Sequence, residues 1–200
     1  HFGQDTFKDG IDLTTDAFFS KLVEGPDFPS TSQPSVGEFV EVYESIFEEG
    51  DEIVSIHISS KLSGTSNSAQ LAAEQLKDNG KIVIVDTLQA SLTVGLTAIA
   101  AAKAVLAGST FQEIVDTANS TSNRAELFAL LDTLEYLEKG GRIGKARALL
   151  GGLLKIKPLI TITEGEVGEF GKVRSRQAGI QKLHDACVEA GKIESLVVAY

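Results

Sequence analysis

The chain has 200 residues, 42% of them hydrophobic, and a formal net charge of −10. That length and apolar content support a sizeable core, while the acidic balance argues against a nucleic-acid duplex or an anionic membrane surface as the main partner. The single cysteine, Cys187, rules out an internal disulfide scaffold, fits a reducing, cytoplasmic setting, and falls at helical spacing with Ile180 and Leu183, as a core residue would.

From the N-terminus, His1 to Ile11 reads as an extended segment ending in a turn at Asp9-Gly10. A helix starting at Thr14 or Thr15 puts Phe18, Phe19, Leu22 and Val23 on one face and stops at Gly25-Pro26. Next comes a polar loop, Pro29-Ser-Thr-Ser-Gln-Pro-Ser35, and then a capping-box pattern, Ser35-Val-Gly-Glu38, opening an amphipathic helix through Val36, Phe39, Val40, Tyr43, Ile46 and Phe47.

Glu52 to Ile58 alternates Val54, Ile56 and Ile58 against Ser55, His57 and Ser59, the pattern of a strand. It runs into Ile58-Ser-Ser-Lys-Leu-Ser-Gly-Thr-Ser-Asn-Ser68 and a helix from about Thr65 to Leu76. At such a junction the first helical N–H groups lack intrahelical partners and the macrodipole adds partial positive charge, so a carboxylate or phosphate is favoured there. Gly64 allows close approach to the backbone, and Ser63 and Thr65 offer hydroxyl donors. The plainer alternative is that Thr65 caps its helix and Ser63 shapes a turn.

Lys81-Ile-Val-Ile-Val-Asp86 is a continuous apolar run of strand length, expected to be covered on both faces and to meet a ligand edge at Asp86-Thr87. The helix from about Ser91 to Ala107 is apolar nearly all round and closes at Gly108, which predicts burial rather than a membrane span, since Lys103, Ser91 and two threonines interrupt it. Ser109-Thr-Phe-Gln112 begins another capped helix with Ile114, Val115 and Ala118 inside. Strand and helix alternating at short spacing predict an α/β fold: a three-layer α/β/α domain on a parallel sheet with right-handed crossovers.

Ala125 to Leu131 reads as a strand, and Asp132-Thr-Leu-Glu135 as the cap of a short helix. That helix breaks at Lys139-Gly-Gly-Arg-Ile-Gly-Lys145, which is mis-spaced for a phosphate loop and has Ala146 where a metal-binding hydroxyl is required. It remains a glycine-loosened turn carrying Lys139, Arg142, Lys145 and Arg147. Leu159 to Thr163 and Gly171 to Arg174 then form a hairpin pattern, followed by a helix from about Ser175 to Ala190 and a last strand, Ser195 to Tyr200. The change of texture places a boundary near Leu154, giving a first domain over 1–154 and a smaller, partial α/β domain over 155–200. The lack of methionine, the start at His1 and the strand-like final run suggest a fragment lacking both ends. No secretory signal is visible.

The blocks Thr31-Ser-Gln-Pro-Ser35, Ile58-Ser-Ser-Lys-Leu-Ser-Gly-Thr65, Leu134-Glu-Tyr-Leu-Glu-Lys-Gly-Gly-Arg-Ile-Gly144, and Leu154-Lys-Ile-Lys-Pro-Leu159 with Lys172-Val-Arg174 resemble, in order, the signature blocks of the bacterial DegV family. The resemblance implies a non-catalytic, cytoplasmic protein that carries one long-chain fatty acid in a tunnel between two domains, as the lipid-binding subunit of fatty acid kinase. By the same resemblance, Thr31 and Ser63 hold the carboxylate, with Ser32, Gly64 and Thr65 around it. Arg142 and Arg174 become candidate contacts for the kinase catalytic subunit or for the phosphate. Two family blocks, an N-terminal aspartate-serine-threonine and a C-terminal histidine-containing glycine-rich stretch, have no counterpart here.

The residues agree with a holder. Two hydroxyls and a helix N-terminus lack a base, and neither a Gly-x-Ser-x-Gly elbow, a metal-ligand cluster nor a useful carboxylate pair is visible, so no catalytic residue, metal or cofactor is expected. For ~14 methylenes at ~0.8 kcal/mol each, tail burial contributes on the order of 11 kcal/mol gross, against ~1 kcal/mol net for a neutral hydrogen bond. The tail should therefore dominate affinity and the hydroxyls set register. Two alternatives stay open: an enzyme on an acyl or phosphate ester with His57 as base beside Ser63, and a regulatory scaffold.

Overall fold

The alternation seen in the sequence becomes a sandwich in the computed structural model, which describes residues 1–8, 10–48, 50–150 and 156–199. The chain divides into two compact units, His1–Gln33 and Pro34–Tyr200.

In the first unit, α1 (Thr15–Glu24) is capped by the Thr14 hydroxyl and ends at Gly25. Phe18 meets Phe2 and Phe19 edge-on, and the Lys21 ammonium lies over the rings of Phe2 and Phe7, but no residue of α1 is buried, and Phe19 and Val23 of the expected apolar face are exposed. Phe2 and Asp5 close a tight antiparallel bridge. Of the turn expected at Asp9-Gly10, Asp9 lies outside the described residues.

In the second unit, β1 (Glu52–His57) and β2 (Lys81–Asp86) pair in parallel, from Glu52 opposite Lys81 to His57 opposite Asp86. A strand sends alternate side chains to opposite faces, and the packing follows that rule. Ile53, Ile82 and Ile84 meet Tyr43, Ala72 and Leu76 of the α2 (Val36–Ile46) and α3 (Thr65–Gln75) side. Val54, Ile56 and Val85 meet Ala101, Ile114 and Ala118 of α4 (Leu92–Leu106) and α5 (Phe111–Arg124). The capping box of α2 forms as read, with Ser35 and Glu38 satisfying each other's backbone N–H groups. For α5 the box sits one residue later than predicted, on Thr110 and Glu113, because the threonine has the extended backbone an N-cap needs.

Four further expectations are corrected. The first concerns α4, which is not buried all round. Only the stripe Thr93, Thr97 and Ala101 is buried, while Leu92, Ile99, Val105 and Leu106 are exposed; a helix without a polar face does not say which side its neighbours cover. Second, Asp132 does not cap α6 (Glu135–Lys139): its carboxylate holds the Lys157 ammonium, the N-cap is Leu134, and the Glu135 N–H is taken by the Thr133 hydroxyl at 3.1 Å. Third, Cys187 is only half-buried. Lastly, Ser195 to Ala199 pairs with no strand among the described residues, β propensity being expressed only against a partner.

The remaining strands form a separate antiparallel sheet in the order β3 (Phe128–Leu130), β4 (Lys157–Thr163), β5 (Glu166–Val173). The boundary expected near Leu154 falls outside the described residues. β3, which precedes it, shares a sheet with β4 and β5, which follow it. On this sheet Ile143, Ala146, Leu149, Leu134, Ile160 and Val167 form one buried cluster, and Leu62 packs against it. α7 (Arg176–Glu189), capped by Ser175, packs against the same sheet.

Candidate functional site

At the C-terminal edge of β1 and β2, four segments of the second unit are stitched together: the hydroxyl loop Ile58–Gly64, the connection Thr87–Ser91, the turn Gly140–Gly144 and the β4–β5 turn at Glu164-Gly165. Ser59 is the hub. Its side chain is fully buried; its hydroxyl donates to the Gly165 carbonyl at 2.7 Å and accepts the Lys61 N–H at 3.2 Å. Its backbone N–H donates to the Gln89 carbonyl at 2.8 Å, and its own carbonyl accepts the N–H groups of Leu62 and Ser63. Gly165 has φ +83°, and a Cβ there would lie 2.6 Å from the Ser59 hydroxyl oxygen, so glycine is required on both counts.

Asp86 ends β2 and accepts the backbone N–H groups of Ser60 (3.2 Å) and Leu88 (3.0 Å), tying the two loops together. Thr87 donates its hydroxyl to the His57 carbonyl at 2.7 Å, and the Gln89 amide reaches the Ala125 carbonyl at 3.0 Å. Within this short connection Leu88 and Ser91 both hold positive φ, 49° and 55°. Such conformations cost about 1–3 kcal/mol each and persist only where surroundings over-determine them.

The predicted head-group residues Ser63, Gly64 and Thr65 are all half-buried at the start of α3. Gly64, not Thr65, is the N-cap, and α3 has no side-chain cap, unlike α1, α2, α5 and α7. Thr65 is already helical, so its hydroxyl pairs instead with that of Ser63 at 2.8 Å, and Ser63 accepts the Thr65 N–H at 3.3 Å. Two hydroxyls carry two hydrogens, and their mutual bond uses one. One O–H is left over beyond that mutual bond, beside the first N–H groups of a helix.

Thr31 and Ser32 belong to the first unit and are exposed. Ser32 Oγ lies 3.4 Å from the His1 ring, whose other nitrogen meets Thr6 Oγ1 at 2.8 Å. In the second unit, Arg142 is brought to the hydroxyl loop, donating to the Leu62 carbonyl at 3.3 Å and to the Gly140 carbonyl at 2.6 Å. Arg174 is exposed at the end of β5 and forms no ion pair among the described residues. The basic cluster is partly neutralised, Lys139 by Glu135 and Lys145 by Glu164. Nor is its turn loose: the N–H of Gly141 returns to Glu138 and that of Arg142 to Leu137, with Gly141 at φ +75°, a Schellman stop for α6.

His57 faces away from a role beside Ser63. Its Nε2 meets Ser55 Oγ at 2.7 Å, which meets the Tyr43 hydroxyl at 2.8 Å, and its ring packs edge-on against Phe39. Burial holds the His57 pKa below its ordinary 6.5, opposed by the nearby Asp86 charge. Burial likewise pushes Tyr43 up, opposed by the Ser55 hydrogen bond. The three side chains form a hydrogen-bonded relay against α2. Two surface depressions, lined by Glu44, Phe47, Glu48 and Asn79 and by Ala73, Lys77, Gly80, Lys81 and Ile82, lie at the opposite, N-terminal edge of the parallel strands. The residues that sequence reasoning did not single out are Ser59, Gln89, Leu88 and Gly165. Their partners come from distant segments, 106 residues away for the Ser59–Gly165 bond, so no local pattern announces them.

Fold and site together define an α/β protein with a hydroxyl-rich loop at the C-terminal edge of a parallel strand pair. A family profile described as "Uncharacterised protein, DegV family" matches residues 1–200, and the chain belongs to the DegV family. A DegV domain-containing protein of Deinococcus radiodurans is 41% identical over 177 residues, covering 88% of this chain and 62% of its own length. Among solved structures, one described as showing fatty acid binding of a DegV family protein from Thermus thermophilus superposes with a TM-score of 0.87 at 37% identity, covering 94% of this chain and 67% of the other. Another, described as DegV, a fatty acid binding protein from Bacillus subtilis, gives 0.83 at 30% identity, with 94% and 67% covered. The chain thus spans about two thirds of the length of the relatives it matches. No helix among the described residues is long and apolar enough to cross a membrane.

Proposed function

We propose that this protein binds one long-chain fatty acid and presents its carboxylate to a separate kinase, itself contributing no catalytic group. The observation that carries the reading is the Ser63–Thr65 hydroxyl pair at the uncapped start of α3, within a family whose solved members are described as fatty-acid-binding. Ser63 donates to the carboxylate, and Gly64 and Thr65 complete the cradle; Thr31 and Ser32 stay candidate head-group hydroxyls on the strength of the family resemblance. Arg142 and Arg174 offer cations for the kinase or for the developing phosphate. A division near Leu154 between a larger and a smaller domain, with the acyl chain between them, and a cytoplasmic site of action belong to the same proposal.

The test is a titration of the delipidated full-length protein with a long-chain fatty acid and with the alcohol of equal length. If the hydroxyl loop reads a carboxylate, the acid binds at least about tenfold tighter, since hydrogen bonds to charged groups are stronger than neutral ones, and Ser63→Ala narrows the gap. Equal affinity for acid and alcohol would remove the loop from the head-group site.

A further inference from the structure

The Gly140-Gly-Arg-Ile-Gly144 turn is built around the direction of one side chain. Gly141 closes the Schellman stop that fixes the Arg142 backbone, through Arg142 N–H to the Leu137 carbonyl at 2.9 Å. The next residue, Ile143, is buried in the cluster on the antiparallel sheet. Gly144 follows with φ +50°, and a Cβ on it would lie 2.6 Å from the Val167 carbonyl oxygen, so the turn is pressed onto β5. From this fixed base the Arg142 side chain bonds back to Gly140 and across to the Leu62 carbonyl, 80 residues earlier in the chain.

The Leu62 carbonyl belongs to the same peptide plane as the Ser63 N–H, and that N–H donates to the Ser59 carbonyl at 3.1 Å. The plane is therefore held from both sides, by a guanidinium on its oxygen and by the buried Ser59 on its nitrogen. A planar peptide held at both ends fixes the position of the next Cα. Here that Cα carries the Ser63 side chain, whose remaining rotation is restrained by its bonds to the Thr65 hydroxyl and N–H.

We infer that Arg142 is a positioning residue for the head group: it orients the Ser63 hydroxyl through the Leu62–Ser63 peptide, and so sets the register of the bound acid. The inference rests on the carboxylate reading proposed above. It gives the arginine a role within its own chain, separate from any contact with a partner. Charge-assisted donation from a fork-shaped guanidinium serves two carbonyls at once, which a lysine ammonium at the same place would do with less geometric control.

The test is a double-mutant cycle in the full-length, delipidated protein, comparing parent, Arg142→Ala, Ser63→Ala and the double variant against a fatty acid 13C-labelled at its carboxyl and against the matched alcohol. Each single change should weaken acid binding by roughly fivefold to tenfold. The double variant should lie within about twofold of Ser63→Ala alone, because a residue acting through Ser63 has nothing left to orient once that hydroxyl is gone. The carboxyl resonance of the bound acid should shift alike in both single variants. Alcohol affinity should stay within about twofold of the parent in Arg142→Ala. Multiplicative losses in the double variant, or an alcohol affinity that falls as far as the acid's, would overturn the positioning role. A parent that binds neither compound would instead overturn the carboxylate reading on which it depends.

Discussion

Ser59→Ala should cost far more stability than a loop serine usually does. In the structure the hydroxyl is fully buried and satisfies two backbone groups, the Gly165 carbonyl at 2.7 Å and the Lys61 N–H at 3.2 Å. Its removal forfeits a hydrogen bond of about 1 kcal/mol and strands a buried carbonyl at a further ~1–2 kcal/mol, a total of about 2–3 kcal/mol. At ~2–4 °C per kcal/mol for a chain of this size, the melting temperature should fall by roughly 5–10 °C. Gly165→Ala should be destabilising for two reasons, its φ of +83° and a methyl 2.6 Å from the Ser59 oxygen. Combined with Ser59→Ala, the closest overlap is gone, while the positive φ and a 3.1 Å approach to the flexible Leu88 side chain remain. The double variant should therefore lose at least about 1 kcal/mol less than the sum of the singles, as expected for residues in direct contact. Calorimetric melting of the four proteins decides it. A loss below about 0.5 kcal/mol for Ser59→Ala, or simple additivity, would refute the idea that this bond locks the hydroxyl loop to the β4–β5 turn.

Gly144→Ala should lower stability by about 2–4 kcal/mol, the combined effect of a left-handed backbone and overlap with the Val167 carbonyl, read as a drop in melting temperature; an unchanged value would contradict the close seating of the turn. His57 titrates below its ordinary 6.5 because burial disfavours its charged form, so the folded protein binds that proton less readily than the unfolded chain. Its contribution is absent at neutral pH and becomes destabilising as pH falls from about 6.5 through the folded-state value. His57→Gln should flatten the melting temperature between about pH 7 and 5 relative to the parent, and parallel curves would show that another group governs the acid limb. Thr31→Val and Ser63→Ala should each weaken fatty-acid binding by ~1–2 kcal/mol while leaving melting unchanged, measured by titration. Arg174→Ala should leave lipid affinity intact yet slow acyl-phosphate formation with the kinase at low salt, the difference shrinking as added salt screens the contact; equal rates across a salt series would end its role as a contact.

The fold was legible where its cause is local. Ser35 and Glu38 announce a capping box because both partners lie within one helical turn, and the alternation Val54, Ser55, Ile56, His57 assigns each residue to a face of β1 that it indeed occupies. The apolar helix α4 was legible as a helix but not as one with an exposed side, since a sequence without polar residues carries no direction. The hydroxyl loop could be found by composition, and Ser63 with Thr65 does form a pair. Which serine anchors the loop could not be found, because Ser59, Ser60 and Ser63 are chemically identical and only Ser59 meets a carbonyl 106 residues away. The same distance rule hid the link from Arg142 to Leu62, and the absence of glycine at Leu88 and Ser91 hid their left-handed backbone.

The central claim is that this chain carries a fatty acid, and mass spectrometry of an organic extract of the purified, natively folded full-length protein tests it most directly. Roughly one long-chain fatty acid per protein molecule is expected. An extract free of fatty acid from well-folded protein, which also takes up none when incubated with palmitate or oleate, would contradict it.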